Sequence, residues 1–452
     1  MKYVVVGTSH AGFEAVETFL KLDSEAEIHL YEKGDKASFL SCGIQSFLEG
    51  KTDSLDNLHY ATGDSYTEQG VNVHLESEII GFDEEKQTVT VKSGNDESEQ
   101  AYDKLFLSPG AVPIEIPIPG ADLENLYYLR GRDWADKVNE RMKDAKKAVV
   151  VGGGYIGIEA AEAFAKAGID VTVIDALDTI LPTYLDSEFT EILEKQAADN
   201  GMNFRGGEAV KEIQGESGKV AKVVTDKGEY EADTVLMAVG VRPNTGWLDG
   251  LVDLTEKGFI KTNKYQQTSA KNVYAAGDAT FVPFAPGGDD RPIALASNAH
   301  RQAFIAAKNI VEGDKYEMPA VSGTSALSLF DYHFATTGVK SVDADSIGEE
   351  VESATHKHHY RPKFLENPYD IYMKVYYTKA DKRIVGLQLM SEANVMQAIN
   401  VGSMAISAKW TLEDLALQDF FFQPEYNNTW NFLNTLAQVA LGEDYGSTEE
   451  LF

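Results

Sequence analysis

The chain has 452 residues, of which 43% are hydrophobic, and a formal net charge of −32. That length allows two or three domains and that composition allows sizeable cores, while the acidity argues against nucleic acid or an anionic membrane surface as a partner. No apolar run approaches the roughly 18 residues of a membrane span, and a single cysteine, Cys42, excludes a disulfide framework or a CxxC pair and favours a reducing cytoplasm.

In chain order, the first predicted element is the strand KYVVV, which runs into a glycine turn, Gly7 to Gly12, and then into the helix-like FEAVETFLKL. This start reads as a strand and not as an export signal, which would show a cleavage site after its apolar stretch. The next strand, AEIHLYE, ends in Glu32. Strand, glycine turn, helix, strand and terminal acid form the dinucleotide-binding pattern. Gly7 permits the tight turn, Gly12 lets the helix pack close, and Glu32 can accept hydrogen bonds from a ribose. Ser9 replaces the middle glycine and is a less suitable residue for close phosphate approach.

The stretch SFLSCGIQSFLEG follows, and SCGIQSFLEG reads as the start of a helix. Cys42 is either inert or works alone. A lone sulfur cannot cycle between dithiol and disulfide, but it can cycle between thiolate and sulfenic acid. A helix N-terminus and a nearby cation would lower its pKa. His10, in the first glycine turn, is the imidazole candidate, against the plainer reading of a solvent contact or a backbone hydrogen bond.

Residues 104–111, KLFLSPGA, predict a strand and a tight turn. A second and cleaner glycine turn follows, with Gly152, Gly154 and Gly157 between the strand AVVV and a helix, and the next strand, IDVTVID, ends in Asp175. A carboxylate there favours NADH over NADPH, and Ala176 and Leu177 bring no arginine for a 2′-phosphate. Residues 233–244, DTVLMAVGVRPN, repeat the strand-and-turn pattern, and NVYAAGDA puts Asp278 near a strand end beside Gly277. After about residue 321, IYMKVYY, RIVGLQLM and a helical NVMQAINVGSMAISA predict an α+β module. Its aromatic run, Phe420 to Phe422, reads either as core or as a segment that closes over a partner's site.

The two glycine turns with KLFLSPGA, DTVLMAVGVRPN and NVYAAGDA resemble the fingerprints of two-dinucleotide flavoprotein disulfide reductases. The resemblance implies an α/β fold of two Rossmann-like domains, FAD on the first unit and NADH on the second, and a C-terminal dimer-interface domain. The expected limits are 1–116 and 245–321 for a split FAD domain, 117–244 for the NADH domain and 322–452 for the interface domain. More specifically, GTSHAGFEAVE, YEKGD, SFLSCGIQSFLEG, SPGAVP, LRGRDWA, YIGIEAAEAFAKAG and DFFFQP resemble the NADH peroxidase and water-forming NADH oxidase family.

Carried over, Cys42 is the redox-active residue and His10 its acid–base partner. The FAD contacts include Gly7, Gly12, Glu32, Ser41, the turn Ser108, Pro109, Gly110 and Ala111, Arg132 and Asp278. Tyr155 gates the nicotinamide side and Tyr184 lies along the NADH adenosine. The remaining cofactor contacts implied are Thr8, Ser9, Ala11, Lys33, Gly152, Gly154, Ile156, Gly157, Glu159, Asp175, Gly240, Gly277, Ala296 and Ser297, with no metal. Phe13, Glu14, SPGAVP and RGRDWA resemble the peroxidase branch, so the expected reaction is reduction of hydrogen peroxide. Water-forming reduction of dioxygen through the same sulfur is the alternative. The peroxidase pattern has arginine where His300 stands, near His10, and Glu14 could polarise His10 through a basic neighbour. A coenzyme A disulfide reductase would need basic residues that the acidic balance does not encourage, and a non-enzymatic flavin redox sensor would show negligible turnover. A homodimer or homotetramer is expected.

Overall fold

A computed structural model describes residues 1–443; the last nine positions of the expected interface domain, 444–452, lie outside the described residues. Two five-stranded parallel sheets carry the nucleotide units. The first has the order Val273–Ala275, Lys104–Leu107, Lys2–Val6, Glu27–Tyr31, Asn72–His74. The second has the order Met202–Arg205, Asp170–Ile174, Lys147–Val151, Thr234–Met237, Leu126–Tyr128. Their central strands, YVVV and AVVV, are buried throughout, as parallel strands covered on both faces must be. Each sheet is flanked by a three-stranded antiparallel meander, Glu78–Ala101 and Val210–Glu231.

The chain crosses between the two sheets twice, and the crossings pair with each other: Ala111–Pro113 runs antiparallel to Val241–Pro243. The third body is a five-stranded antiparallel sheet ordered Ser325–Leu329, Tyr332–Gly338, Ile384–Ser391, Asp370–Thr378, Val351–His359. Helices Ile399–Ser407 and Phe432–Ala440 cover it. Among the described residues no helix is long and apolar enough to cross a membrane.

Two local expectations change. SCGIQSFLEG is a 3₁₀ turn, Ser41–Gly43, followed by an α-helix of one turn and a half, Ile44–Leu48; so short a helix has little dipole to offer a thiolate. The aromatic run divides. Phe420 packs on the C-terminal core, but Phe421 is 68% and Phe422 49% exposed, so the two do not serve as core in this chain.

Candidate active site

The two glycine turns are built alike. Gly7 and Gly152 both take positive φ, +90° and +111°, and each donates its N–H to the last residue of the neighbouring strand, Tyr31 and Ile174. A Cβ on Gly12 would lie 1.8 Å from the Gly7 carbonyl oxygen, and one on Gly157 1.9 Å from that of Gly152. No larger residue fits there without moving the helix off its strand. The acids close the turns in the same way. Glu32 accepts from the Thr8 hydroxyl at 2.6 Å and the Gly34 amide at 2.9 Å. Asp175 accepts from the Gly153 amide at 2.6 Å and the Leu177 amide at 2.8 Å.

The helices behind these turns, His10–Leu22 and Tyr155–Lys166, have no side-chain N-cap and no acid in the first turn. Their leading N–H groups have no intrahelical partner and face the turn, an arrangement that fits the pyrophosphate of a dinucleotide in each unit. Ser9 fills the place of Gly154 at no conformational cost, because both have extended backbone (φ −72°, ψ −164° against φ −76°, ψ −175°).

Around the first turn the structure gathers residues from distant parts of the chain. Ser108 donates its hydroxyl to the Val6 carbonyl at 2.6 Å. Gly110 and Pro109 accept from the backbone and side chain of Asn244. Gly277 lies against Ala11 and Ala299, so Asp278 and the start of the helix Ala296–Glu312, with Ser297, come up beside the opening helix. Gly240 lies at the second crossing and accepts from the Ile114 amide. Arg132 binds His59 at 3.0 Å and Asp56 at 2.9 Å, whereas the guanidinium paired with Asp278, at 2.8 Å, belongs to Arg130. Lys33 reaches outward to Glu78 and is well exposed.

His10 lies in an aromatic box. Its ring stacks on Tyr60 (centroids 5.4 Å apart, planes 9° apart) and meets His300 at 5.3 Å. Phe13 packs edge-on against Tyr60 at 5.0 Å and against His300 at 6.2 Å. His300 in turn binds Glu14 at 2.9 Å. The order Glu14, His300, His10 is the one the sequence suggested, with histidine in the place of arginine. Burial, and then the His300 charge, hold the His10 imidazole below its ordinary pKa, so at neutral pH it is an uncharged base.

Cys42 is exposed, yet the surrounding protein partly desolvates its thiol. Burial first, then the carboxylates of Glu159 and Asp278, raise its pKa; Arg130 and a backbone hydrogen bond oppose them. The low-pKa thiol expected from a helix end and a cation is therefore not what the protein groups alone provide. Cys42 and His10 both lie within electrostatic reach of Asp278. Tyr60 joins them: it feels Cys42 and Glu32, burial pushes it up to about 12, and its buried hydroxyl, beside Ser9, has no partner of hydrogen-bonding geometry. An orphaned hydroxyl there is a further mark of a site shaped for a polar ligand.

At the second turn, Ile156 follows Tyr155 in the first turn of the helix, and the Tyr155 ring stacks on Tyr184 with centroids 3.6 Å apart. The Tyr155 hydroxyl pairs with Ser325 at 2.9 Å. Glu159, one helical turn on, is held protonated up to about 7 by burial and then by Glu162 and Glu49. Sequence reasoning missed Tyr60, Ser38, Arg130 and the Glu49–Glu162 pair. Ser38, a non-glycine residue at φ +54°, ties its loop to Thr8 through two hydrogen bonds. None of these positions stands out by spacing, because each acts through a contact distant in sequence.

Two glycine turns, two terminal acids and one sulfur between them define a two-dinucleotide oxidoreductase. The chain belongs to the pyridine nucleotide-disulphide oxidoreductase family: residues 1–303 match the family's main model and residues 324–432 its dimerisation domain. It is 43% identical to an NADH oxidase of Enterococcus faecalis over 98% of this chain and 99% of that protein. It is 35% identical to an NADH oxidase of Streptococcus pyogenes over 97% and 99%. The structure superposes on that of the water-forming NADH oxidase from Lactobacillus brevis bound to NADH with a TM-score of 0.95, at 35% identity, covering 99% of this chain and all of that one. The expected cofactors, FAD and NADH, stand with this membership.

Proposed function

We propose that the chain is a water-forming NADH oxidase, which reduces dioxygen to water with two NADH. The observation that carries this reading is the near-full-length similarity to proteins named NADH oxidase, taken with a solitary thiol and a histidine at the first glycine turn that both lie within electrostatic reach of Asp278. The peroxidase reaction expected from the sequence shares that sulfur and differs in the first acceptor. Phe13, one residue behind that expectation, spends its ring on Tyr60, His300 and Tyr66 and so packs the His10 box whichever acceptor is used.

FAD, when bound, would supply two-electron chemistry fed by hydride from NADH: one electron pair, with two protons, for reduction of dioxygen to hydrogen peroxide, and a second pair for the sulfur. Gly7, Thr8, Ser9, Ala11, Gly12, Glu32 and Asp278 would hold it at the first turn, and Gly152, Gly154, Gly157 and Asp175 would hold NADH at the second. His10, uncharged, accepts the proton of the Cys42 thiol. The thiolate attacks one oxygen of peroxide; the O–O bond breaks, Cys42 becomes sulfenic acid and hydroxide leaves. His10 returns the proton to that hydroxide, giving water. Two electrons and one proton then convert the sulfenic acid to thiolate and a second water. Asp175, with Ala176 and Leu177 beside it, would select NADH by accepting from its ribose; an engineered relative of the Lactobacillus brevis enzyme is an NADPH oxidase. The domain limits at 116/117, 244/245 and 321/322 belong to this proposal, supported by the paired crossings at 111–113 and 241–243. So do a homo-oligomer, supported by the dimerisation domain, and a cytoplasmic location, supported by the single cysteine. The test is the product: air-oxidised NADH should leave water and no peroxide.

A further inference from the structure

The helix Ser187–Asp199 begins with an aspartate, Asp186, in the N-cap position, yet Asp186 makes no side-chain cap to its own helix. An N-cap aspartate ordinarily spends its carboxylate on the first-turn amides. Here both oxygens go to the C-terminal module. Oδ1 accepts from the Ser341 amide at 3.0 Å and the Ser341 hydroxyl at 2.7 Å. Oδ2 accepts from the Tyr376 hydroxyl and from Lys374 at 2.9 Å. The Asp186 amide donates to Gln388 at 3.0 Å. Asp186 is 3% and Lys374 7% exposed, and Lys374 also holds Glu188 at 2.7 Å.

The residues just before Asp186 form a tight turn, with the Tyr184 and Leu185 amides bonded to the Leu181 carbonyl. The Leu181 amide donates to the Gly153 carbonyl at 2.8 Å, which seats this turn on the second glycine turn. Tyr184 projects from it onto Tyr155, the first residue of the helix whose amides face that turn. The segment is thus fastened at one end to the nucleotide turn and at the other to the C-terminal sheet.

We propose that Asp186 is a positioning residue for NADH: by its buried tie to Ser341, Lys374 and Tyr376 it holds the Leu181–Leu185 turn, and the Tyr184 ring, against the Gly152–Gly154 turn. The C-terminal module thereby sets nucleotide affinity as well as pairing subunits. This inference rests on the reading that the second unit binds NADH.

The test uses FAD-loaded enzyme without oxygen. Flavin reduction is followed against NADH concentration, which separates apparent Kd from the limiting rate, and NAD⁺ binding is measured at equilibrium beside it. Asp186→Asn, Lys374→Met and the milder Tyr376→Phe, which leaves no buried charge unpaired, are compared. Asp186→Asn should weaken NADH and NAD⁺ binding by about tenfold or more, and Tyr376→Phe by a few-fold, with the limiting rate within about twofold of wild type. Reduction by dithionite should be unchanged in every variant. If Asp186→Asn and Tyr376→Phe lose thermal stability but bind both nucleotides as wild type does, the tie is merely structural and the proposal falls. If the wild-type enzyme itself binds neither nucleotide, the reading beneath it falls first.

Discussion

Replacing Glu159 with glutamine removes the most strongly perturbed carboxyl beside Cys42. In the folded chain this group keeps its proton up to about 7, against an ordinary 4.5, because it is buried and faces Glu162 and Glu49. Glu162 itself is committed to Gln45, Lys166 and the Phe330 amide, and Glu49 to Lys51 and Lys166, so neither carboxylate can turn away. Between these two pH values the folded state binds more protons than the unfolded one, so stability falls as pH rises through this window and the loss is complete above it. At about 1.4 kcal/mol per pH unit, the full loss is on the order of 3 kcal/mol. Glutamine mimics the protonated acid and has no such penalty. Urea unfolding of both proteins from pH 4.5 to 8 should show the variant gaining on wild type as pH rises and levelling off above 7. Because Glu159 also raises the Cys42 pKa, alkylation of Cys42 in the variant should set in at lower pH. A stability difference that is constant across the range, or that widens on acidification, would refute the reasoning.

Cys42→Ser should keep FAD and lose the second half of the reaction, so that air-oxidised NADH leaves hydrogen peroxide instead of water; undiminished peroxide removal would exclude the sulfur. His10→Ala should slow the peroxide step by about a hundredfold while flavin reduction by NADH changes little, because what is lost is proton transfer at Cys42; equal slowing of both steps would count against its role. Lowering pH below the ordinary histidine range should destabilise the chain through His10, whose depressed pKa means that the folded state resists protonation; His10→Gln should flatten that slope in an unfolding titration. Asp175→Ala combined with Ala176→Arg should raise KM for NADH and lower it for NADPH, read as the ratio of the two kcat/KM values.

Both nucleotide units were legible because their requirements are local. A glycine is forced where a Cβ would meet a carbonyl oxygen at 1.8–2.4 Å, and an acid is needed two residues from the amide it accepts from, so spacing alone exposes Gly7, Gly12, Gly152, Gly157, Glu32 and Asp175. Cys42 was legible because it is alone. The immediate surroundings of the sulfur were not. Glu159, Asp278, Arg130 and Tyr60 approach it from four separate stretches of chain, and burial first, then the Glu159 and Asp278 carboxylates against Arg130, raise the thiol's pKa where the local sequence suggested a fall. The tie at Asp186 was invisible for a related reason: an aspartate before a helix reads as a cap, and only the fold shows its carboxylate spent on a sheet more than 150 residues further along. Phe421 and Phe422 left two readings open in the sequence, core or a segment closing over a partner's site, and they stand exposed because the module's own core is filled by other side chains.

The central claim concerns where the oxygen atoms go. Limiting NADH is added to the enzyme in air-saturated buffer, with dioxygen uptake and hydrogen peroxide followed together. The account predicts one dioxygen consumed for every two NADH and no peroxide at the end. Equal uptake of dioxygen and NADH with peroxide accumulating, or no uptake until peroxide is supplied, would contradict it.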